Sequence, residues 1–305
     1  MKATFSSLTY CHDGFERVFE PLTAEQIQRA LSSALSKIVT FQSETFDILF
    51  HDCQYILSIA EIVDLFHVDL KEQYASGNVS LIGYLGDACV FLFKTTQTNK
   101  EFINFYNAKY ADFDRLSQVT GLGYATTRFH WQSKFCSRCQ QKLEFQSTSQ
   151  TYMRCKPCNL EFYPPIQPAI IALVYFRDEI LVYHRRENIY THISGFLEPV
   201  ETAIQATYRE LNEELGLQKH QIQSVEPMSE TQPWPSRYCS LMMPFKVELK
   251  EKLEFKPTKE VSESKWISKQ LFLEAANRSD KGEKVEWIVP SIKTVARFMM
   301  EKFFE

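Results

Sequence analysis

The stretch RELNEELG, Arg209–Gly216, puts Glu210, Glu213 and Glu214 on little more than one helical turn. At i, i+3 and i+4 such side chains are neighbours on a helix surface, and like charges there cost a few tenths of a kcal/mol per pair, roughly. Either the face is solvated or a cation cancels the repulsion. In the surrounding TAIQATYRELNEELGL, 202–217, Thr202 and Gln205 have capping-box spacing and Gly216 stands where a left-handed C-terminal cap is wanted, so a helix with both ends signed is expected. Its apolar residues Ile204, Tyr208, Leu211 and Leu215 recur as one stripe. A turn of ~100° per residue then sets the three glutamates beside that stripe, at an edge where a cleft can lie.

Composition bounds the rest. A chain of 305 residues with 44% hydrophobic and 24% charged residues is a multidomain globular protein, not a disordered one. The longest apolar run, AIIALVYF at 169–176, is too short to cross a bilayer and reads as a buried strand, so no membrane partner is expected. The first twenty residues scatter charges where a secretory signal needs an apolar core, which points to the cytoplasm. A net charge of -4 lacks the basic excess of a general nucleic-acid binder.

Of eight cysteines, Cys11, Cys53, Cys89 and Cys239 are scattered, whereas CSRC (136–139) and CKPC (155–158) give C-x2-C-x15-C-x2-C. That is the spacing of two knuckles closing a tetrahedral thiolate site, suited to one structural Zn2+ on Cys136, Cys139, Cys155 and Cys158, with no coordination position left for a catalytic water. Residues 131–163 carry five Lys and Arg against two Glu, a net +3, and four thiolates around Zn2+ contribute about −2. A fold-stabilising ribbon is favoured over an RNA-binding one.

Three domains are expected: an α+β domain over 1–130, the zinc ribbon over 131–163, and an α/β domain over 164–305. In the first, Thr23 and Gln26 have capping-box spacing ahead of QRALSSALSKI and predict a helix from about Ala24, followed by strand-like pieces such as DILFHD and ACVFLFK. No chemical motif stands out there, which suits a scaffolding, dimerisation or substrate-gating role. Beyond Pro164, Pro165 and Pro168, AIIALVYF, RDE and ILVYH read as a β-hairpin with a polar turn.

From Gly195 to Leu217 the chain reads G-x5-E-x7-R-E-L-N-E-E-L-G-L. This resembles the Nudix box, G-x5-E-x7-R-E-U-x-E-E-x-G-U with U aliphatic, at every specified position. The four-cysteine ribbon ahead of it, the Y-P-x-x-x-P of Tyr163, Pro164 and Pro168, TQPWP at 231–235, KEVSESKW at 259–266 and TVAR at 294–297 resemble the NADH pyrophosphatase branch of that family. The likeness covers about residues 120–305. It implies a Nudix α/β/α sandwich with a mixed sheet, preceded by the ribbon and the α+β domain.

The resemblance also implies site residues. Glu210 and Glu214 are the principal ligands of more than one Mg2+ or Mn2+, with Glu213 in the cluster, the Ser194 carbonyl contributing, and Glu260 as a further ligand. Carboxylate oxygens are the donors such hard cations take. Glu214 or a neighbouring carboxylate takes the proton of the attacking water, a choice that spacing leaves open. Arg209 holds the loop through Glu201, since its planar fork pairs bidentately with carboxylates. Phe196 and Tyr163 stack on a base, while Gln232, Pro233, Trp234, Pro235, Ser240 and Ala296 shape a dinucleotide pocket.

Three departures stand out. SRYCS follows TQPWP where the branch has Phe-Pro; Val200 precedes Glu201 where Gly is customary, which removes backbone freedom; and Gln150 stands near a ribbon position where an acidic contact is usual. The function implied is hydrolysis of NADH and NAD+ to AMP and nicotinamide mononucleotide by a homodimer, with NAD-capped RNA as a further substrate. The alternatives are a broader ADP-ribose or dinucleoside polyphosphate pyrophosphatase, and a catalytically inactive nucleotide- or RNA-binding module.

Overall fold

The computed structural model describes residues 15–17, 23–52, 54–85, 87–104, 113–145, 152–186, 189–234, 239–258, 261–281, 283, 287–292 and 294–305. Two units divide it, one of Tyr10–Pro165 and one built on Ile166–Glu305.

The first unit begins with β1 (Phe15–Arg17), α1 (Ala24–Ala30), β2 (Lys37–Gln42), β3 (Ile48–Leu49), β4 (Ile56–Ser58), α2 (Ile59–Phe66) and α3 (Leu70–Ala75). It continues through β5 (Val79–Leu85), β6 (Ala88–Thr95), β7 (Phe102–Ile103) and α4 (Phe113–Gln132). The strands form one sheet in the order β1-β5-β6-β2-β3-β7, with β4 also on β2 and with β2 and β6 parallel. Because side chains alternate along a strand, Ile38, Phe91 and Phe93 face Ile27, Ile62 and Phe66 of α1 and α2. Val39, Phe41, Val90 and Leu92 face Val119 and Tyr124 of α4 on the other side.

The predicted capping box of Thr23 and Gln26 forms, but α1 is shorter than expected. QRALSSALSKI leaves the helix after Ala30: the Ser32 hydroxyl donates to the Gln28 carbonyl and the Ser36 hydroxyl to the Ala30 carbonyl. Serine hydroxyls that bond nearby backbone compete with helix continuation. Ile38, Val39 and Phe41 are buried in β2 instead. The same unit holds the ribbon, whose β8 (Glu144–Phe145), β9 (Met153–Cys155) and β10 (Leu160–Phe162) form a small sheet. Its core of Cys136, Leu143, Met153 and Cys155 packs with Phe129 of α4.

The second unit opens with the hairpin of β11 (Gln167–Phe176) and β12 (Glu179–Arg186), turned through Arg177 and Asp178 with Glu179 already in the ladder. There follow β13 (Ile189–Thr191), β14 (Ile193–Phe196), α5 (Ala203–Leu215), a 3-10 turn at Lys219–Gln221, β15 (Ile222–Pro227), β16 (Gln232–Trp234), β17 (Ser240–Leu249), β18 (Ser264–Ser268), α6 (Lys269–Asp280) and α7 (Val295–Phe304). The sheet order is β13-β12-β11-β17-β15, with β14 on β11, β16 on β17 and β18 on β12. The β11–β17 pair is parallel and the other pairs are antiparallel, so the sheet is mixed.

Alternation again sorts the core. Ile170, Ala172 and Val174 pack on Ala206, Leu211 and Leu215 of α5, whereas Ile171 and Leu173 pack with Phe272 of α6 and Phe298 and Met299 of α7. The result is the expected α/β/α sandwich. Leu211 is fully buried between α5 and the sheet, a position where truncation to Ala costs about 2–5 kcal/mol. Among the described residues no helix is long and apolar enough to cross a membrane.

Candidate catalytic and metal sites

Helix α5 has both predicted ends. The Thr202 hydroxyl accepts from the Gln205 N–H, the Gln205 side chain accepts from the Thr202 N–H, and Gly216 closes the helix in the left-handed region at φ 69°. Its buried face differs from the expected apolar stripe. Ile204 is 45% exposed, while Ala206, Thr207, Glu210, Leu211, Glu214 and Leu215 are buried. The inward face is rotated toward the carboxylates because β14 lies against them. A Cβ at Gly195 would come within 1.8 Å of Glu210 Oε1, so only a glycine leaves that carboxylate its place. Glu210 and Glu214, at i and i+4, are thus held 9% and 4% exposed beside one another.

Arg209 organises the loop between β14 and α5. Its Nε and Nη2 donate to Oε1 and Oε2 of Glu201, each at 2.9 Å, in a bidentate pair. Nη2 also donates to the Phe196 carbonyl at 2.8 Å. Nη1 donates to Glu210 Oε1 at 2.7 Å and to Glu213 Oε2 at 3.1 Å. All five guanidinium protons therefore have an acceptor. The hydrogen bonds from Arg209, joined by one from the Glu198 N–H, hold the Glu201 carboxyl below the ordinary carboxylate range. A depressed folded-state pKa means that Glu201 contributes stability above its unfolded pKa, and loses it only as pH falls through the lowered value. The same bond, first that to Glu201, raises Arg209 further above its already high range.

Val200 lies in this loop at φ 68°, its side chain fully exposed. A β-branched residue is strained there, at about 1–2 kcal/mol, and no packing compensates. Glycine adopts this φ freely, at an entropic cost of about 0.5–1 kcal/mol. Val200→Gly is expected to raise the unfolding midpoint of the second unit by about 2 °C. An unchanged or lower midpoint in calorimetry contradicts this.

The remaining expected residues fall into groups. Ser194 is half-buried and pairs with Ile171, adjacent to Gly195. Phe196 is exposed. Gln232 is buried and its Oε1 accepts from the Val295 N–H at 2.8 Å, which brings β16 to the first turn of α7 beside the buried Ala296. Pro233 and Trp234 pair with Leu241 and Ser240, and Ser240 is buried. Tyr163 lies in the first unit, where its hydroxyl donates to Glu161 Oε2 at 2.8 Å. Pro235, Glu260, Gln150 and residues 236–238 of SRYCS lie outside the described residues. One contact had no sequence signal: the Thr258 hydroxyl donates to the Glu214 carbonyl at 3.0 Å and accepts from the Val261 N–H, tying the segment ahead of β18 to the end of α5.

In the ribbon, the sulfurs of Cys136, Cys139, Cys155 and Cys158 all lie within 4.8 Å of one another. Four sulfurs at about 2.3 Å from one tetrahedral ion stand about 3.8 Å apart, which lies inside that limit, so the quartet fits such a metal. Burial opposes ionisation of Cys136, but the N–H groups of Cys139 and Arg138 outweigh it and bring the thiol down to about 7. Cys158, hydrogen-bonded first to Cys139, is pushed up to about 12, and burial raises Cys155. Thiols so placed ionise together only against a cation. Among the described residues this quartet is the group of three or more metal-capable side chains whose ligand atoms converge.

Residues 165–288 match the model of the NUDIX domain. Over 152 residues the chain is 34% identical to the NAD-capped RNA hydrolase NudC of Pseudomonas putida, covering 48% of this chain and 53% of that protein. It is 32% identical over 155 residues to the NAD-capped RNA hydrolase NudC of Escherichia fergusonii, covering 50% and 58%. The chain thus matches little more than half the length of these relatives. Among solved structures it is similar to a Nudix hydrolase from Nitrosomonas europaea at 20% identity and a TM-score of 0.36, over 51% of this chain and 97% of that one.

Proposed function

We propose, from the premise that residues 165–288 form a Nudix domain, that this chain hydrolyses the pyrophosphate of NADH and NAD+ to AMP and nicotinamide mononucleotide, and removes the same dinucleotide cap from RNA. The observation that carries the reading is the buried pair Glu210 and Glu214, of which Glu210 stands against the bare Cα of Gly195 and is steadied by Arg209. Two adjacent carboxylates held out of water favour a cation between or beside them. The space left by the missing Cβ of Gly195 is what lets the Glu210 carboxylate stand there.

In this reading Glu210 and Glu214 hold Mg2+ or Mn2+, with Glu213, the Ser194 carbonyl and Glu260 as further donors. When bound, these ions screen the phosphate oxygens and lower the pKa of water. Glu214 or a neighbouring carboxylate takes the proton from the water that attacks phosphorus; the P–O–P bond breaks and each half leaves as a phosphate monoester. Arg209 and Glu201 position the loop so that the carboxylates need no rearrangement. Gln232, Trp234, Ser240 and Ala296 wall the dinucleotide site, and Phe196 offers a ring face to its bases. Zn2+ on the four cysteines holds the ribbon. The reading includes a cytoplasmic homodimer.

The test is a panel of NADH, NAD+, ADP-ribose, diadenosine polyphosphate and NAD-capped RNA with Mg2+ or Mn2+, products separated by chromatography. The expected result is preferred cleavage of NADH, NAD+ and the capped RNA. Equal or better cleavage of ADP-ribose or the diadenosine compound replaces it with a broader pyrophosphatase.

A further inference from the structure

From Leu116 to Leu143 the chain has no Asp or Glu, yet carries Arg128, Lys134, Arg138 and Lys142, in a protein of net charge -4. None of these four cations pairs with a carboxylate among the described residues. In the second half of the ribbon Lys156, by contrast, is paired with Glu144 at 2.6 Å. The ribbon's modest overall charge therefore conceals an uncompensated run at its start and at the end of α4.

Large rings stand among these cations. Trp131 is 44% exposed and Phe135 63% exposed. The Trp131 ring is braced edge-on by Phe46 at 5.6 Å between centroids, and Phe46 in turn meets Tyr124 at 6.2 Å. Arg128 lies 5.2 Å over the Phe46 ring and Lys134 5.5 Å over Trp131. Phe46 takes a φ of 62°, a left-handed backbone that an aromatic residue rarely adopts. Phe135 pairs with Lys142 across a β-bridge, which puts their side chains on one face. Core packing does not explain rings that remain in water, nor why their neighbours are cations of one sign.

We propose that this face binds single-stranded RNA, with Trp131 and Phe135 stacking bases while Lys134, Arg138 and Lys142 attract phosphates. Stacking platforms interleaved with cations suit unpaired bases, because a duplex keeps its base faces covered. Only the identity of the polyanion rests on the proposed function, in which RNA is a substrate.

The experiment uses the full chain and a 5′-hydroxyl, uncapped RNA of about 12 nucleotides, within the usual length of such sites, read by fluorescence anisotropy across a salt series. The probe has no pyrophosphate, so its binding is independent of the Nudix chemistry. The wild type binds in a salt-dependent manner. Lys134→Glu with Lys142→Glu weakens binding at least tenfold and lowers the log–log salt slope by about 1.4, two phosphate contacts at about 0.7 each. Trp131→Ala with Phe135→Ala also weakens it at least tenfold, with the slope little changed. Both variants keep wild-type zinc content and NADH hydrolysis. The proposal is overturned by a wild type that does not bind, by variants that bind as well as the wild type, or by ring variants that alter only the oligomeric state in light scattering, which assigns the face to a second copy. Binding without NADH hydrolysis overturns the proposed function and leaves this surface standing.

Discussion

Glu214→Gln is expected to lower kcat for NADH hydrolysis by about 10²–10⁴-fold, the usual contribution of a positioned acid–base group, while the protein folds and binds the dinucleotide as before. The geometry makes the substitution clean. Glu214 is 4% exposed, so an isosteric amide fills its place without a cavity and removes a charge that burial disfavours. Thermal stability should therefore stay level or rise. Glu213→Gln provides the contrast: its side chain is 55% exposed and among the described residues reaches Arg209, and its loss should be smaller by at least an order of magnitude. Equal losses from both variants, measured in steady state with unchanged melting, contradict the distinction drawn between the buried pair and the outer glutamate.

Cys155→Ser is expected to release one equivalent of zinc per chain and to melt the ribbon. The ribbon's strands are two or three residues long, and Leu143 and Met153 with Phe129 supply most of its apolar core. So small a core does not hold itself together. Structural Zn2+ contributes about 10–16 kcal/mol in comparable peptide sites, and in such modules binding free energy is folding free energy. Amides over 134–145 and 152–162 should lose their hydrogen-exchange protection in the variant, or in the wild type after chelation. Protection that survives complete zinc loss contradicts the assignment of the quartet as the ribbon's organising centre.

How far these features were legible in the sequence follows from the range of the forces involved. The caps of α5 at Thr202, Gln205 and Gly216 were readable because capping is settled within four residues. The hairpin at Arg177 and Asp178 and the knuckle spacing were readable for the same reason. The orientation of α5 was not. Apolar periodicity marked Ile204 as inward, but the approach of Gly195 turned the helix to bury Glu210, and a contact between a strand and a helix leaves no periodic trace. Helix α4 went unread as well. Gly121, Gly123, Thr120, Thr126 and Thr127 are weak helix formers, yet a Cβ at Gly123 would lie 2.7 Å from Phe41, so the small residue serves close packing on the sheet. Val200 showed as a departure from Gly in the sequence. Its strained φ of 68° shows that the loop keeps the backbone path that the glycine would have taken freely.

In the proposed function the helix at Ala203–Leu215 carries the carboxylates that break a phosphoanhydride bond. The most direct measurement incubates the purified, zinc-replete chain with NADH and Mg2+ or Mn2+ and quantifies the products by chromatography. Equimolar AMP and reduced nicotinamide mononucleotide, formed about 10²–10⁴-fold more slowly by Glu214→Gln, is the result predicted. No AMP from NADH, with folding and zinc content intact, contradicts it.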